Sequence, residues 1–115
     1  MPPGGGPPPH IHRNEDETFY VVEGEMSIRL GESTVAAGAG DFVHVPRGIV
    51  HCFKNDGTAV ARMILTFTPA GIEEFFEETL ERVLEPGLEP PDNHEAVAGR
   101  YVEAAPRYGL EFVTD

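Results

Sequence analysis

Between Thr18 and Thr68 no run of β-forming residues exceeds eight before a turn signal interrupts it, and this punctuation limits the fold more than anything else in the chain. Thr18–Val22 ends at Glu23-Gly24, Met26–Leu30 at Gly31-Glu32, and Thr34–Ala37 at Gly38 to Gly40. Asp41–Val45 is stopped by Pro46-Arg47-Gly48, His51–Lys54 by Asn55-Asp56-Gly57, and Ala61–Thr68 by Pro69-Ala70-Gly71. Gly and Asn accept the positive φ that tight hairpins demand, and Pro presets φ for the first turn position. Six short strands at this spacing predict an all-β fold, an antiparallel sandwich or barrel.

The two ends read differently. Met1–Pro9 is almost all Pro and Gly, which gives an extended, polyproline-like lead-in. After Gly71 the period changes. Ile72, Phe75, Phe76, Leu80, Val83 and Leu84 recur at helical spacing, with Glu73, Glu74, Glu77, Glu78 and Glu81 between them. That pattern predicts an amphipathic helix with an acidic outer face, ended by Pro86-Gly87. A weaker helix is expected from about Asn93 to Ala105, N-capped by Asp92 and broken by Pro106, with Tyr108 to Val113 as a docked extended tail. A length of 115 residues suits one core, so a single domain is expected, with a barrel over about 10–69 and a helical tail over about 71–115.

Eight Lys and Arg against twenty Asp and Glu leave a formal net charge of −12. Such a surface repels phosphate backbones and anionic lipid, which argues against nucleic-acid and membrane partners. No apolar run reaches the ~20 residues of a membrane span. The N-terminus has no basic stretch followed by an apolar one, and Cys52 is the only cysteine. A cytoplasmic location is therefore expected.

The chemistry concentrates on four residues. His10 and His12 are two apart, so on a strand their imidazoles share a face. Glu17 lies five residues further on, an odd number, and on one continuous strand it would face away. The polar stretch Arg13-Asn14-Glu15-Asp16 allows a turn that swings Glu17 back toward the pair. His51 has to come from a strand far along the chain. Three neutral imidazoles and one carboxylate suit a single divalent transition metal, Fe, Mn, Ni, Cu or Zn.

His-x-His alone is common on protein surfaces; its context here is more specific. From Gly4 the chain reads Gly, five residues, His10-Ile11-His12, four residues, Glu17, six residues, Gly24. From Gly40 it reads Gly, five residues, Pro46, one residue, Gly48, two residues, His51, three residues, Asn55. These two stretches, only 15 residues apart, resemble the paired signature motifs of the cupin superfamily. The segment Pro69-Ala70-Gly71-Ile72-Glu73-Glu74-Phe75-Phe76 is similar to the tail of small bacterial cupins of the quercetin-dioxygenase-like kind. The resemblance implies a double-stranded β-helix, or jelly-roll barrel, with His10, His12, Glu17 and His51 as metal ligands. It implies a small-molecule substrate and a dioxygenase-like activity in which Glu17 doubles as a base. A metal-dependent polyketide cyclase or isomerase, or a non-catalytic ligand-binding cupin, are the alternatives.

Other residues carry softer expectations. Phe19 shares the strand face of Glu17, and Phe53 that of His51, so both are candidates for an apolar cavity around the metal. His44, just before the Pro46 turn, is a candidate pocket residue if it faces inward. Cys52 should point away from the metal as a buried thiol, and Glu15 and Asp16 are expected to face solvent. Tyr20 and Arg62 are further pocket candidates without a specific signal. Cupins of this type carry one or two strands before the first motif, whereas His10 stands nine residues from Met1. An edge left unpaired in this way would be covered by a partner subunit or crossed by residues 1–9, unless the chain begins at an internal methionine. A homodimer is the expectation.

Overall fold

The computed structural model describes residues 1–80 and 94–113. Its strands are β1 (His10–His12), β2 (Asp16–Glu23), β3 (Glu25–Leu30), β4 (Ser33–Gly38), β5 (Phe42–Val45), β6 (His51–Lys54) and β7 (Arg62–Thr68). Two helices follow, α1 (Glu73–Thr79) and α2 (His94–Ala104), then a 3₁₀ turn (Ala105–Tyr108) and strand β8 (Leu110–Phe112). The strands form a five-stranded sheet in the order β4-β3-β6-β1-β8 and a three-stranded sheet in the order β5-β2-β7, all pairs antiparallel. This is the all-β jelly roll with C-terminal helices that the turn spacing and motifs predict.

Alternation decides which side chains enter the barrel. Along β2, Glu17, Phe19 and Val21 are buried while Tyr20 and Val22 are exposed. Met26 and Ile28 of β3, Ala37 of β4, Val45 of β5 and Phe53 of β6 join Phe19 and Val21 in one apolar cluster. Burying each large side chain of this set contributes about 1.5–3 kcal/mol. At Gly24 (φ +83°) β2 turns into β3, and a Cβ there would lie 2.9 Å from Ala61 Cα, so this position is restricted to glycine by both backbone and space.

A second cluster caps the barrel. Ile72, Phe75, Ala104, Ala105 and Leu110 are buried in it, with Phe67, Phe76, Tyr101, Tyr108 and Phe112 packed around them. Here the structure corrects the expected helix. Within the described residues α1 ends at Thr79, and Leu80 adopts an extended conformation (φ −106°, ψ 155°) and is exposed. Thr79 takes the buried place instead, its hydroxyl donating to the Phe75 carbonyl at 2.8 Å, which satisfies the polar group inside the cap. Val83, Leu84, Pro86-Gly87, Asp92 and Asn93 lie outside the described residues.

The expected edge problem is solved within the chain. The extended tail becomes β8 and pairs with the free side of β1, in the register His10↔Phe112, Ile11↔Glu111, His12↔Leu110. Residues 1–9 form a strap along the end of β6 and the start of β7. Asn55 and Gly4–Gly5 exchange backbone hydrogen bonds at 2.7 and 3.0 Å, and Met1 and Ala61 do so at 2.9 and 3.0 Å. Gly6 is packed so closely on the Phe53 carbonyl that any Cβ would collide with it. The premise of an uncovered β1 edge therefore falls away.

Candidate metal centre

Each of the four candidate ligands is placed by its strand. β1 sits between β6 and β8, so the register His10↔His51 sets two imidazoles side by side, with ring centroids 4.3 Å apart. His12, two residues on, shares that face, and its ring centroid is 5.2 Å from that of His51. Glu17 belongs to the opposite sheet, and the Arg13–Glu15 connection turns the chain so that its carboxylate crosses the barrel interior. The turn delivering His51 is pinned twice: the Gly48 amide donates to the His12 carbonyl at 2.9 Å, and the Arg47 amide to Asp16 Oδ1 at 2.9 Å. One nitrogen or oxygen from each of His10, His12, Glu17 and His51 lies within 4.8 Å of the others, and all four residues are buried.

The hydrogen-bond pattern fits a cation. His51 Nδ1 faces the Ile49 carbonyl at 3.0 Å and His10 Nδ1 faces the Pro8 carbonyl at 2.8 Å, contacts that place the proton on Nδ1. In a neutral His51 ring the Nε2 lone pair then points at Glu17 Oε1, 2.8 Å away, with His12 Nε2 3.4 Å from the same oxygen. A lone pair aimed at a carboxylate requires a cation between them, a proton or a metal ion. Burial, reinforced by the neighbouring His51 and His12, pushes His10 down from 6.5 to about 4, so the ring stays neutral and able to ligate at neutral pH. Burial raises Glu17, but its close contacts with the His12 and His51 rings outweigh it and hold the carboxyl below its ordinary value.

Aromatic rings wall the cluster on both sides. Phe19 stands 6.4 Å from the His51 ring and 5.2 Å from Phe53, both expected on that side. On the cap side, Phe67 lies 5.3 Å from His12, and Phe112 6.1 Å from His10. Neither of these two was expected from the sequence. Phe67 was legible in principle, since it keeps the inward parity of β7; Phe112 was not, because its position depends on a pairing about a hundred residues away.

Three expectations are corrected. His44 is exposed, opposite Thr18 on the outer face of β5, because Val43 and Val45 take the inward parity; it is not a pocket residue. Glu15 is only 6% exposed instead of facing solvent, while Asp16 turns out toward Arg47. Burial raises the Glu15 carboxyl, partly offset by His12 and Arg47. Cys52 does point away from the site but is half-buried. Arg62, though exposed, lines an open cleft of about 510 Å³ with Met1, Val22, Phe53, Met63 and Leu65, whereas Tyr20 lies on the outer sheet face.

Residues 1–67, more than half of the chain, match the family described as the cupin domain. The chain belongs to the cupin family. This cupin is 34% identical over 67 residues to quercetin 2,3-dioxygenase of Bacillus subtilis (strain 168), a match covering 58% of the chain and 20% of that protein. It is 36% identical over 72 residues to germin-like protein subfamily 2 member 2 of Arabidopsis thaliana, covering 56% and 32%. Among solved structures, TT1209 from Thermus thermophilus matches with a TM-score of 0.58 at 28% identity, over 60% of this chain and 66% of that one. A recombinant oxalate oxidase in complex with glycolate matches with a TM-score of 0.54 at 32% identity, over 58% and 37%. The cupin thus spans at most a third of the length of these two curated relatives. No helix among the described residues is long and apolar enough to cross a membrane.

Proposed function

We propose that this cupin binds one divalent transition-metal ion, Fe, Mn, Ni, Cu or Zn, through His10, His12, Glu17 and His51. We read it as a dioxygenase-like enzyme of the quercetinase type, acting on a small enolic or polyhydroxylated aromatic molecule. The observation that carries this reading is the convergence of four buried ligand atoms within 4.8 Å, with the His51 Nε2 lone pair aimed at the Glu17 carboxylate. When bound, such an ion supplies positions at which an oxygen ligand and dioxygen can be brought together. The chain's residues would do the rest. His10 and His51 are held in the ligating tautomer by backbone carbonyls, Phe19 and Phe53 exclude water from one side, and Phe67 and Phe112 close the other with apolar rings. Glu17, already holding a proton-accepting oxygen beside His51, would take the proton of a substrate hydroxyl. The partial match to quercetin 2,3-dioxygenase supports the substrate class.

Elemental analysis of protein purified without added metal, followed by oxygen-electrode assays with flavonols and diketones, tests the reading. Stoichiometric iron, manganese, nickel or copper with oxygen uptake supports it. Zinc without uptake points to a cyclase or isomerase, and tight ligand binding without turnover to a binding cupin. His51→Ala and Glu17→Ala should each lose the metal while keeping the fold by circular dichroism; full metal retention in either would refute the ligand set.

The homodimer reading now rests on a different surface. Phe42 (64% exposed), Tyr20 and Ile64 form one cross-strand row on the outer face of the three-stranded sheet, beside Val22. A second copy meeting this face across a two-fold axis would bury the row. Because the net charge of −12 opposes self-association, salt should favour the dimer. Sedimentation at micromolar concentration and high salt that finds only monomer refutes it.

A further inference from the structure

Two of the three histidines have their Nδ1 secured by the carbonyl two residues upstream: Pro8 for His10, and Ile49 for His51. His12 has no such arrangement. The carbonyl two residues before it belongs to His10, inside β1 and flanked by β6 and β8, where carbonyls serve the sheet. His12 Nδ1 is buried without a hydrogen-bond partner, and so is Glu15 Oε1. The two atoms stand 3.9 Å apart on side chains almost excluded from water. Leaving a buried donor and a buried carboxylate oxygen unpaired is costly, and a rotation of roughly 1 Å satisfies both at hydrogen-bond distance.

We infer that Glu15 is a positioning residue for His12: its carboxylate accepts a hydrogen bond from His12 Nδ1 and so fixes Nε2 toward the metal. This rests on the reading of His12 as a metal ligand. The site then contains two kinds of histidine. His10 and His51 lean on neutral carbonyls, while His12 leans on an anion that makes its ring a stronger donor. The sequence divides the labour between neighbours, since Glu15 turns inward to His12 and Asp16 turns outward to the Arg47 amide and guanidinium.

The test uses the zinc-loaded protein. Isotope-edited NMR of the imidazole N–H protons in native protein should give a protected, downfield signal for His12, alongside those of His10 and His51. In Glu15→Ala the His12 signal should move upfield and exchange faster, with the other two unchanged, and zinc affinity in a chelator competition should fall about 10–100-fold. Glu15→Gln keeps an acceptor without the charge, so it should recover the protected signal and part of the affinity; it also serves if Glu15→Ala fails to fold. A His12 signal and zinc affinity unaltered in either variant would overturn the inference with the metal reading intact. Failure of the native protein to bind zinc, or any of the divalent ions named above, would overturn both.

Discussion

Replacing Phe75 with alanine separates the cap from the barrel and measures how strongly the cap holds the strand that carries two candidate ligands. Phe75 is 1% exposed, and its ring centroid lies 5.4 Å from Phe76, 5.2 Å from Tyr101 and 5.6 Å from Tyr108. Those neighbours come from α1, α2 and the 3₁₀ turn, so no single element can shift to fill the gap. Truncating a buried phenylalanine costs about 3–5 kcal/mol. The cost falls on the cap cluster, which shares no buried member with the barrel cluster. Leu110 and Phe112 of β8 belong to the cap cluster and pair with His12 and His10.

If the cap opens as a local unit, that free energy comes off its opening equilibrium. Amide exchange at Leu110–Phe112 should then accelerate by about two to three and a half orders of magnitude, at ~1.4 kcal/mol per decade. Exchange in β2 and β3 should stay at its native rate, and release of bound metal to a chromogenic chelator should quicken, because β1 loses its outer neighbour. Ile28→Ala, in the barrel cluster, is the matching control and should loosen β2 and β3. Uniform acceleration across β2, β3 and β8 in Phe75→Ala would refute the two-unit description. Unchanged exchange in β8 would refute the cap's hold on β1.

Two further outcomes follow from the same contacts. Metal-free protein should lose stability as pH falls from 6.5 toward 4, because the unfolded chain protonates His10 there and the folded chain does not; the loss attributable to His10 is about 3 kcal/mol. Glu17, held low, adds a loss below pH 4.5, while Glu15, held high, works the other way above pH 4.5 and offsets part of the histidine's loss there. The difference between the native and His10→Asn urea curves isolates the histidine, and equal slopes against pH would contradict its neutral burial. Asn55→Ala removes side-chain bonds to the Met1 and Ala59 carbonyls and to the Gly57 amide, at 2.9, 2.8 and 3.0 Å. It should cost about 2–4 kcal/mol and release the N-terminal strap; a loss under about 1 kcal/mol in chemical denaturation would show the strap to be held by its backbone alone.

What could be read from the sequence was what repeats locally. Turn residues bounded the strands from β2 to β7, and period-two alternation placed Glu17, Phe19, His51 and Phe53 inside. The same alternation, applied to Val43 and Val45, turns His44 outward, and on this strand parity outranks the chemistry of the side chain. Glu15 had no periodicity to follow, because it sits in the β1–β2 turn, where only the folded path decides which of two adjacent carboxylates enters. Thr79 replaced Leu80 in the cap because α1 stops one residue short of that leucine, and a buried hydroxyl can be satisfied by its own helix. β8 was anticipated as a docked tail, but its partner was not, since a pairing across the length of the chain leaves no local signal.

That division bears on function. The family match ends at residue 67, and the aromatic wall facing His12 from the cap begins with Phe67. The four candidate ligands and the turns that deliver them therefore lie in the matched part: β1, the turn to β2, and the pinned turn into β6. Phe76, which packs on Phe67, and Phe112, which faces His10, come from segments outside that match, and Phe112 reaches the site only because β8 docks on β1. A metal ion bound as proposed would be held by the first set. What could be admitted beside it would then depend on the second. If the metal is held as proposed, exchanges at Phe67, Phe76 and Phe112 should alter substrate selection, whereas replacement of His10, His12, Glu17 or His51 should remove the metal first.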